Sequence, residues 1–293
     1  MEFNYQFDSF GTRQVIPLPS DDELKKFYAE NYFQENKGSY QKEYSADEVS
    51  YFHFYHQVFY EVYKENINKP PNTLLDVGCG EGFTANWFYK KGVNVSAVDF
   101  SDFAIKQFHP ELIDKINFIK CDLINDNFLP NEQFDIIILK NVLEHVKDID
   151  KLILSLKSKM HSNSLLVILI PNDTSNPFLD SYLEINNFDF KDIKTYAPPE
   201  HLRYFSFDSL NKFMLSKGYK EVCQIGDFPI EMFLLDKSTD YYQNSFGKTA
   251  HSIRCSVTNI LAELDHKKVI RLLTSFADLN LGRSIIGFYR INK

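Results

Sequence analysis

An α/β fold built on a doubly wound, mostly parallel sheet of seven strands is the class this sequence predicts. Three observations predict it. Beyond residue 72, short apolar runs alternate with stretches of helical spacing, the pattern of strands joined by crossover helices. One run, "FDIIILK" at 134–140, is almost continuously apolar, as a strand covered on both faces should be. Three glycines, Gly78, Gly80 and Gly82, crowd the end of the first such strand, where a ligand-binding turn of an open sheet is expected.

Taken in order, the first 70 residues are rich in Tyr and Phe and carry helical spacing through "DELKKFYAENYF" and "DEVSYFHFYHQVFYEVYKENI", so residues 1–70 are expected to form a helical, aromatic segment. "NKPPN" (68–72) ends it, because consecutive prolines cannot continue a helix. "TLLDV" is then a strand and "GFTANWFYKK" a helix closed by Gly92, the residue favoured just past a helix end. "VNVSAVD", "INFIKCD" and "FDIIILK" are further strands, with a helix from about Asp102 between the first two. "DIDKLILSLKSKM" has helical spacing and "SLLVILIP" is a fifth strand. Ser206 is a suitable N-cap for "FDSLNKFMLSK", which Gly218 closes, and "YKEVCQIG" follows as a sixth strand. Residues 71–226 thus form the core unit, interrupted by a proline-rich, lid-like insertion at 171–205. Residues 227–293 add helices through "HSIRCSVTNILAEL" and "KKVIRLLTSFADL", then the alternating run "RSIIGFYRI" as the last strand. Such insertions shape ligand access or simply pack on the sheet.

Composition narrows the function classes. The chain has 293 residues and a net charge of −8, with no Lys/Arg cluster, which argues against nucleic acid as a partner. Lys151, Lys157 and Lys159 read as a solvated helix face. The longest apolar runs, "IIIL" and "LLVILI", fall far short of the roughly 20 residues that span a bilayer. The polar start "MEFNYQFDSFGTR" lacks the apolar centre of a secretory signal, so a cytoplasmic location is expected. Cys79, Cys121, Cys223 and Cys255 contain no C-x-x-C pair and read as packed thiols rather than disulfides or zinc ligands. His53, His56, His109, His161, His251 and His266 show no ligand spacing and read as packed or solvated.

The glycine turn reads D-V-G-C-G-E-G. The dinucleotide fingerprint G-x-G-x-x-G does not fit, because the third glycine comes one residue early. Asp76, two residues before Gly78, would repel a diphosphate and suits a cation. No G-K-[ST] follows, so a phosphate-cradling loop is excluded. "LLDVGCGEGF" resembles the cofactor loop of class I S-adenosylmethionine-dependent methyltransferases, of the broad subgroup that modifies ubiquinone precursors and sugars. "VSAVDFS" places Asp99 at the end of the second core strand, "FIKCDL" places Asp122 after the third, and "FDIIILKNVLEHV" resembles the fourth-strand motif. The resemblance covers about residues 70–226. It implies a Rossmann-like sheet and cofactor contacts from Asp76, Gly78, Cys79, Gly80, Gly82, Asp99, Phe100, Asp122, Leu123 and Lys140. Asp99 would meet the ribose hydroxyls and Asp122 the adenine amino group. Three carboxylates at neighbouring strand ends are a poor place for unpaired charge unless the ligand is cationic and rich in donors.

For an oxygen acceptor the reaction needs a base. His145 in "NVLEHV" is the first candidate, with Glu144 beside the acceptor; the competing reading packs His145 on the following helix. "PPEHLRYFS" (198–206) supplies His201 as a second base or acceptor ligand. Arg203 could grip a carboxylate or phosphate, with Tyr204 beside it, or simply anchor the proline-rich segment. Tyr32 and Tyr40 are candidates to close over the cofactor. In some ubiquinone-pathway relatives E-x-x-E-H binds a divalent metal; Asn141 replaces the first Glu here, so no metal is expected. The tail weakly resembles enzymes of surface-polysaccharide sugars. The expected acceptor is therefore a small molecule, first a sugar or nucleotide-sugar hydroxyl, with an aromatic or quinone precursor or a phosphate ester as the alternative. A nicotinamide-dependent oxidoreductase and a non-catalytic, cofactor-holding partner protein are the readings from other classes.

Overall fold

The computed structural model describes residues 3–31 and 43–292. Tyr32 and Tyr40 lie outside the described residues. The chain starts with a hairpin, β1 (Asn4–Phe7) and β2 (Arg13–Ile16), before helices α1 (Asp21–Asn31) and α2 (Ala46–Ile67). The expectation of an all-helical N-terminal segment is therefore corrected. The hairpin forms because Asp8 accepts hydrogen bonds from the amides of Phe10 and Thr12, and Gly11 takes the left-handed backbone (φ 86°) that the turn requires.

After α2 come β3 (Thr73–Val77), α3 (Phe83–Lys90), β4 (Asn94–Asp99), α4 (Phe103–Phe108), β5 (Asn117–Lys120) and β6 (Phe134–Lys140). The second half holds α5 (Ile149–Ser158), β7 (Met160–Pro171), α6 (Pro177–Asn186), β8 (Arg203–Tyr204), α7 (Phe207–Ser216) and β9 (Tyr219–Gly226). α8 (Gly247–Ala262), α9 (His266–Asp278) and β10 (Ser284–Ile291) complete the chain. Seven strands form the main sheet in the order β5-β4-β3-β6-β7-β10-β9. β10 runs antiparallel to both β7 and β9, while the pairs from β5 to β7 are parallel.

Strand alternation sends side chains to two cores. Leu74, Ile136, Ile138, Val167, Ile286 and Phe288 face the layer containing α2 and α3, whereas Leu75, Val77, Ile137, Leu139, Leu166 and Ile168 face α5 and α7. α2 begins with a capping box of Ser45 and Glu48 and ends at Asn68 in the left-handed region. α7 starts at the Ser206 cap as its sequence predicts. β7 begins earlier than expected, at Met160, so α5 stops at Ser158. Lys159 is consequently buried, with its ammonium donating to the carbonyls of Phe128 (2.6 Å) and Leu129 (3.1 Å). That corrects its assignment to a solvated helix face. All four cysteines are free.

The hairpin joins β8 in a second, three-stranded antiparallel sheet, β1-β2-β8. It encloses a small core of Val15, Leu179, Tyr182, Phe190, Tyr204 and Leu234. This subassembly lies beside the carboxyl ends of the central strands and fixes the segment that carries His201. No helix among the described residues is long and apolar enough to cross a membrane.

Candidate functional site

The turn after β3 carries Gly78, Gly80 and Gly82, all with positive φ. A Cβ on Gly78 would lie 2.5 Å from Val142 Cγ2, and one on Gly82 would lie 2.8 Å from Ile105 Cγ1. Positive φ and close packing together require glycine at both positions. The turn is tied to the end of β4: the Gly80 amide donates to the Asp99 carboxylate at 2.8 Å, and Asp99 also accepts from the Ser101 amide at 2.9 Å. Asp76 is buried at the end of β3 and accepts from the Ala85 amide in the first turn of α3 at 3.1 Å. Burial pushes its carboxyl up to about 7, against the pull of Lys140. Burial likewise raises Asp99. Asp122 behaves differently: burial would raise it, but hydrogen bonds from Ile124 and Asn125 outweigh that and hold it below the usual carboxylate range.

Two adjoining cavities open along these strand ends. The larger, about 790 Å³, is lined by Gly78, Gly80, Asp99, Phe100, Asp122 and Leu123 before reaching Asn141 and His145. The smaller, about 350 Å³, is lined by Asp76, Cys79, Gly82, Lys140, Glu144 and His201, among others. They share Gly78, Gly80, Asn141 and His145. A ligand lying across both would pass the glycine main chain in the middle. It would have an acid-edged compartment on one side and Asp76 with Lys140 on the other. Lys140 sits 4.6 Å over the Phe52 ring, and burial lowers its ammonium despite the carboxylates of Glu81 and Asp76.

Beyond the shared boundary stand Glu144, His145 and His201. His145 Nδ1 is 2.9 Å from the Glu200 carbonyl, and its Nε2 is 3.8 Å from Glu144 Oε1. The two imidazole rings meet edge to face with centroids 4.9 Å apart. Burial lowers His145 to about 4, with the neighbouring His201 pushing the same way. Burial raises the Glu144 carboxyl to about 8. Their opposite shifts leave the imidazole neutral and the carboxyl largely protonated at neutral pH.

The structure brings the three cluster residues together and places every candidate cofactor residue on the wall of one or both cavities. Two expectations are corrected. Arg203 touches the larger cavity, but its guanidinium donates to the carbonyls of Val146 (2.6 Å) and Lys147 (3.0 Å), so it anchors the main chain rather than gripping an anion. Tyr204 is buried in the small core, with its hydroxyl 3.1 Å from the Ala197 amide, and faces neither cavity. Sequence reading passed over Glu81, whose carboxylate accepts from the Tyr44 hydroxyl beside the glycine turn. It also passed over Lys147, whose ammonium pairs with Asp21 of α1 at 2.7 Å on the rim of the larger cavity. Neither contact joins residues close in sequence, so no local signal marks them.

Comparison with known proteins agrees with this geometry. A family model described as a methyltransferase domain matches residues 48–224, which spans α2 through most of β9. Among curated proteins, the ubiquinone biosynthesis O-methyltransferase of Rickettsia bellii is 28% identical over 109 residues, covering 36% of this chain and 45% of that protein. The mitochondrial ubiquinone biosynthesis O-methyltransferase of Schizosaccharomyces pombe is 31% identical over 114 residues, covering 37% of this chain and 41% of the relative. The chain thus spans less than half the length of the curated relatives it matches. Among solved structures, the plantazolicin methyltransferase BamL, in complex with a triazolic desmethylPZN analog and SAH, superposes with a TM-score of 0.53 at 15% identity, covering 94% of this chain and 92% of that one. A SAM-dependent methyltransferase from Archaeoglobus fulgidus gives 0.51 at 20% identity, with 84% and 95% covered. Those structures share the fold. Because the matched stretch holds the glycine turn, the strand-end acids and the His145 turn, the chain belongs to the methyltransferase-domain family.

Proposed function

We propose that the protein transfers a methyl group from S-adenosylmethionine to a hydroxyl of a small acceptor, most simply a hydroxylated aromatic ring. The observation that carries this reading is the meeting of the two cavities at Gly78, Gly80, Asn141 and His145. The adenosine would occupy the larger compartment, with Asp99 at the ribose. The amino-acid end would occupy the smaller one, its ammonium near Asp76 and its carboxylate near Lys140. Charge complementarity supports that orientation: the buried acids gain a cation, and the buried lysine gains an anion.

The sulfonium methyl then faces the Glu144–His145–His201 cluster. The S–CH₃ bond breaks as the O–CH₃ bond forms, the hydroxyl proton leaves to the cluster, and a methyl ether and S-adenosylhomocysteine result. Alignment supplies most of the acceleration, since reacting atoms held near 3–3.5 Å with water excluded gain effective molarities of about 10⁵ M or more. His145 uses Nδ1 on the Glu200 carbonyl, which leaves Nε2 as the proton-accepting face.

The aromatic acceptor is favoured over the sugar expected from sequence because the named curated relatives are ubiquinone biosynthesis enzymes and the acceptor end carries two imidazole rings. A panel of catechols, phenols and nucleotide sugars, assayed for methyl transfer with wild type and His145→Ala, tests it. Phenolic turnover that falls about 10²–10⁴-fold in the variant, with S-adenosylhomocysteine still bound, is the expected result. Turnover confined to sugars would remove the aromatic assignment, and full activity in the variant would remove His145 from the chemistry.

A further inference from the structure

We propose that the Thr84 hydroxyl binds the carboxylate at the amino-acid end of the cofactor, and that His56, buried behind it, is the positioning residue that turns the hydroxyl's hydrogen toward that carboxylate. The assignment rests on the proposed seating of S-adenosylmethionine across the two cavities and goes beyond it by naming two residues outside the glycine turn and the strand-end acids. Thr84 lies in the first turn of α3 and forms part of the wall of the smaller cavity, together with Asp76 and Lys140. His56 comes from the middle of α2 and does not line that cavity.

Both side chains are buried, and Thr84 Oγ1 lies 3.1 Å from His56 Nε2. His56 Nδ1 has no hydrogen-bond partner among the described residues. The ring packs near Trp87 and Phe59, with centroids 5.9 and 6.3 Å away. Burial holds the imidazole well below its ordinary range, and Lys140 and His53 push the same way, so it is neutral. A neutral imidazole carries one N–H. On Nδ1 that hydrogen would be a buried donor without an acceptor, which is rare and costs about 1–3 kcal/mol. On Nε2 it meets the Thr84 oxygen. The partners therefore assign the proton to Nε2.

The direction of that bond decides what Thr84 offers. A hydroxyl that accepts from His56 has its own hydrogen left for a second partner. Nε2 cannot be that partner, and the cavity beside the hydroxyl is where an acceptor would lie. There the Lys140 ammonium already favours an anion, so the two groups would share the carboxylate, one as a point charge and one as a directed donor. The opposite tautomer would turn the Thr84 oxygen into an acceptor suited to the cofactor's ammonium, which Asp76 already serves. The contact joins positions twenty-eight apart, and sequence reading placed His56 among packed or solvated histidines.

The test is calorimetric titration of the full-length protein with three ligands. They are S-adenosylhomocysteine, its decarboxylated analogue, which keeps the amine, and 5′-methylthioadenosine, which lacks the amino-acid end. Thr84→Val is expected to weaken S-adenosylhomocysteine at least about 10-fold, the loss of one hydrogen bond to a charged group, and to bind the other two ligands as wild type does. Thr84→Ser keeps the hydroxyl and wild-type affinity. His56→Leu shows a smaller loss of the same selectivity, because the hydroxyl is then free to turn, and adds nothing in the Thr84→Val background. His56→Gln, which restores an N–H donor near the Nε2 position, recovers binding. A loss in Thr84→Val that extends equally to the decarboxylated analogue overturns the assignment, as does no loss. Additive losses would remove His56 from the positioning role. Wild type that binds none of the three ligands would sink the cofactor reading and this assignment with it; wild type that binds them, with Thr84→Val unchanged, would sink the assignment alone.

Discussion

Asp76 shows how one buried carboxyl links ligand binding to protons. Its folded value of about 7 is set by burial. On the proposed binding mode, the cofactor's ammonium arrives beside it and favours the ionised form. At pH 7 roughly half of the free protein must then release a proton on binding. Cofactor affinity should therefore rise as pH increases through about 7 and level off above it. Calorimetry in two buffers of different ionisation enthalpy reads the released proton directly, and Asp76→Asn should abolish both the release and the pH slope. Equal apparent enthalpies in the two buffers would place the ammonium elsewhere. The type and spacing of Asp76 were legible in the sequence because a strand end and a glycine turn are local features. The roles of Arg203 and Tyr204 were not, since their hydrogen-bond partners are set by packing.

At the scale of elements, the N-terminal hairpin does more than cap the fold. β2 pairs with β8 through Arg13↔Tyr204 and Gln14↔Arg203, and the Val15 amide donates to the Leu202 carbonyl at 3.0 Å. Leu202 in turn donates to Glu144, so the hairpin holds His201 against the cluster. Val15 is wholly buried, and Val15→Asp would force a charge into the small core. The variant is expected to lose about 10²-fold in methyl transfer, the penalty of a small misplacement of reacting groups, while retaining S-adenosylhomocysteine affinity. Hydrogen exchange at His201 and Leu202 should accelerate in parallel. Unchanged turnover in a variant whose hairpin has opened would remove the positioning role. Sequence reading assigned this stretch to a helical segment, because a four-residue strand carries little periodicity and its partner lies nearly two hundred positions away.

Across the whole molecule, the antiparallel strand β10 is tied to the carboxyl end of β7 by a buried ionic group. Arg283 pairs with Asp173 at 2.7 Å and lies 3.6 Å from Glu231, and both acids are almost fully buried. Removing the shared cation by Arg283→Met should cost about 3–5 kcal/mol, because two buried carboxyls then lack a partner. Glu231 is raised by burial to about 7 from an ordinary 4.5, with Arg283 pulling the other way. In its pH window the folded state holds the proton more tightly than the unfolded chain. Its contribution to stability is therefore fully present below about 4.5 and lost as pH rises through about 7. Thermal melts from pH 4 to 8 should show wild type losing stability relative to Glu231→Gln across that interval. Parallel melting curves for the two proteins would show that folding leaves the proton affinity of Glu231 unchanged.

The sequence by itself determined the alternating strands and helices, the glycine turn and the acids at successive strand ends. Each of these is written in local periodicity or in short-range backbone requirements. Only the tertiary structure decided the hairpin's partner, the burial of Lys159, the anchoring role of Arg203 and the meeting of His201 with Glu144 and His145. Those depend on which distant segments share a surface, and a side chain's hydrogen-bond partners are fixed only once that surface has formed.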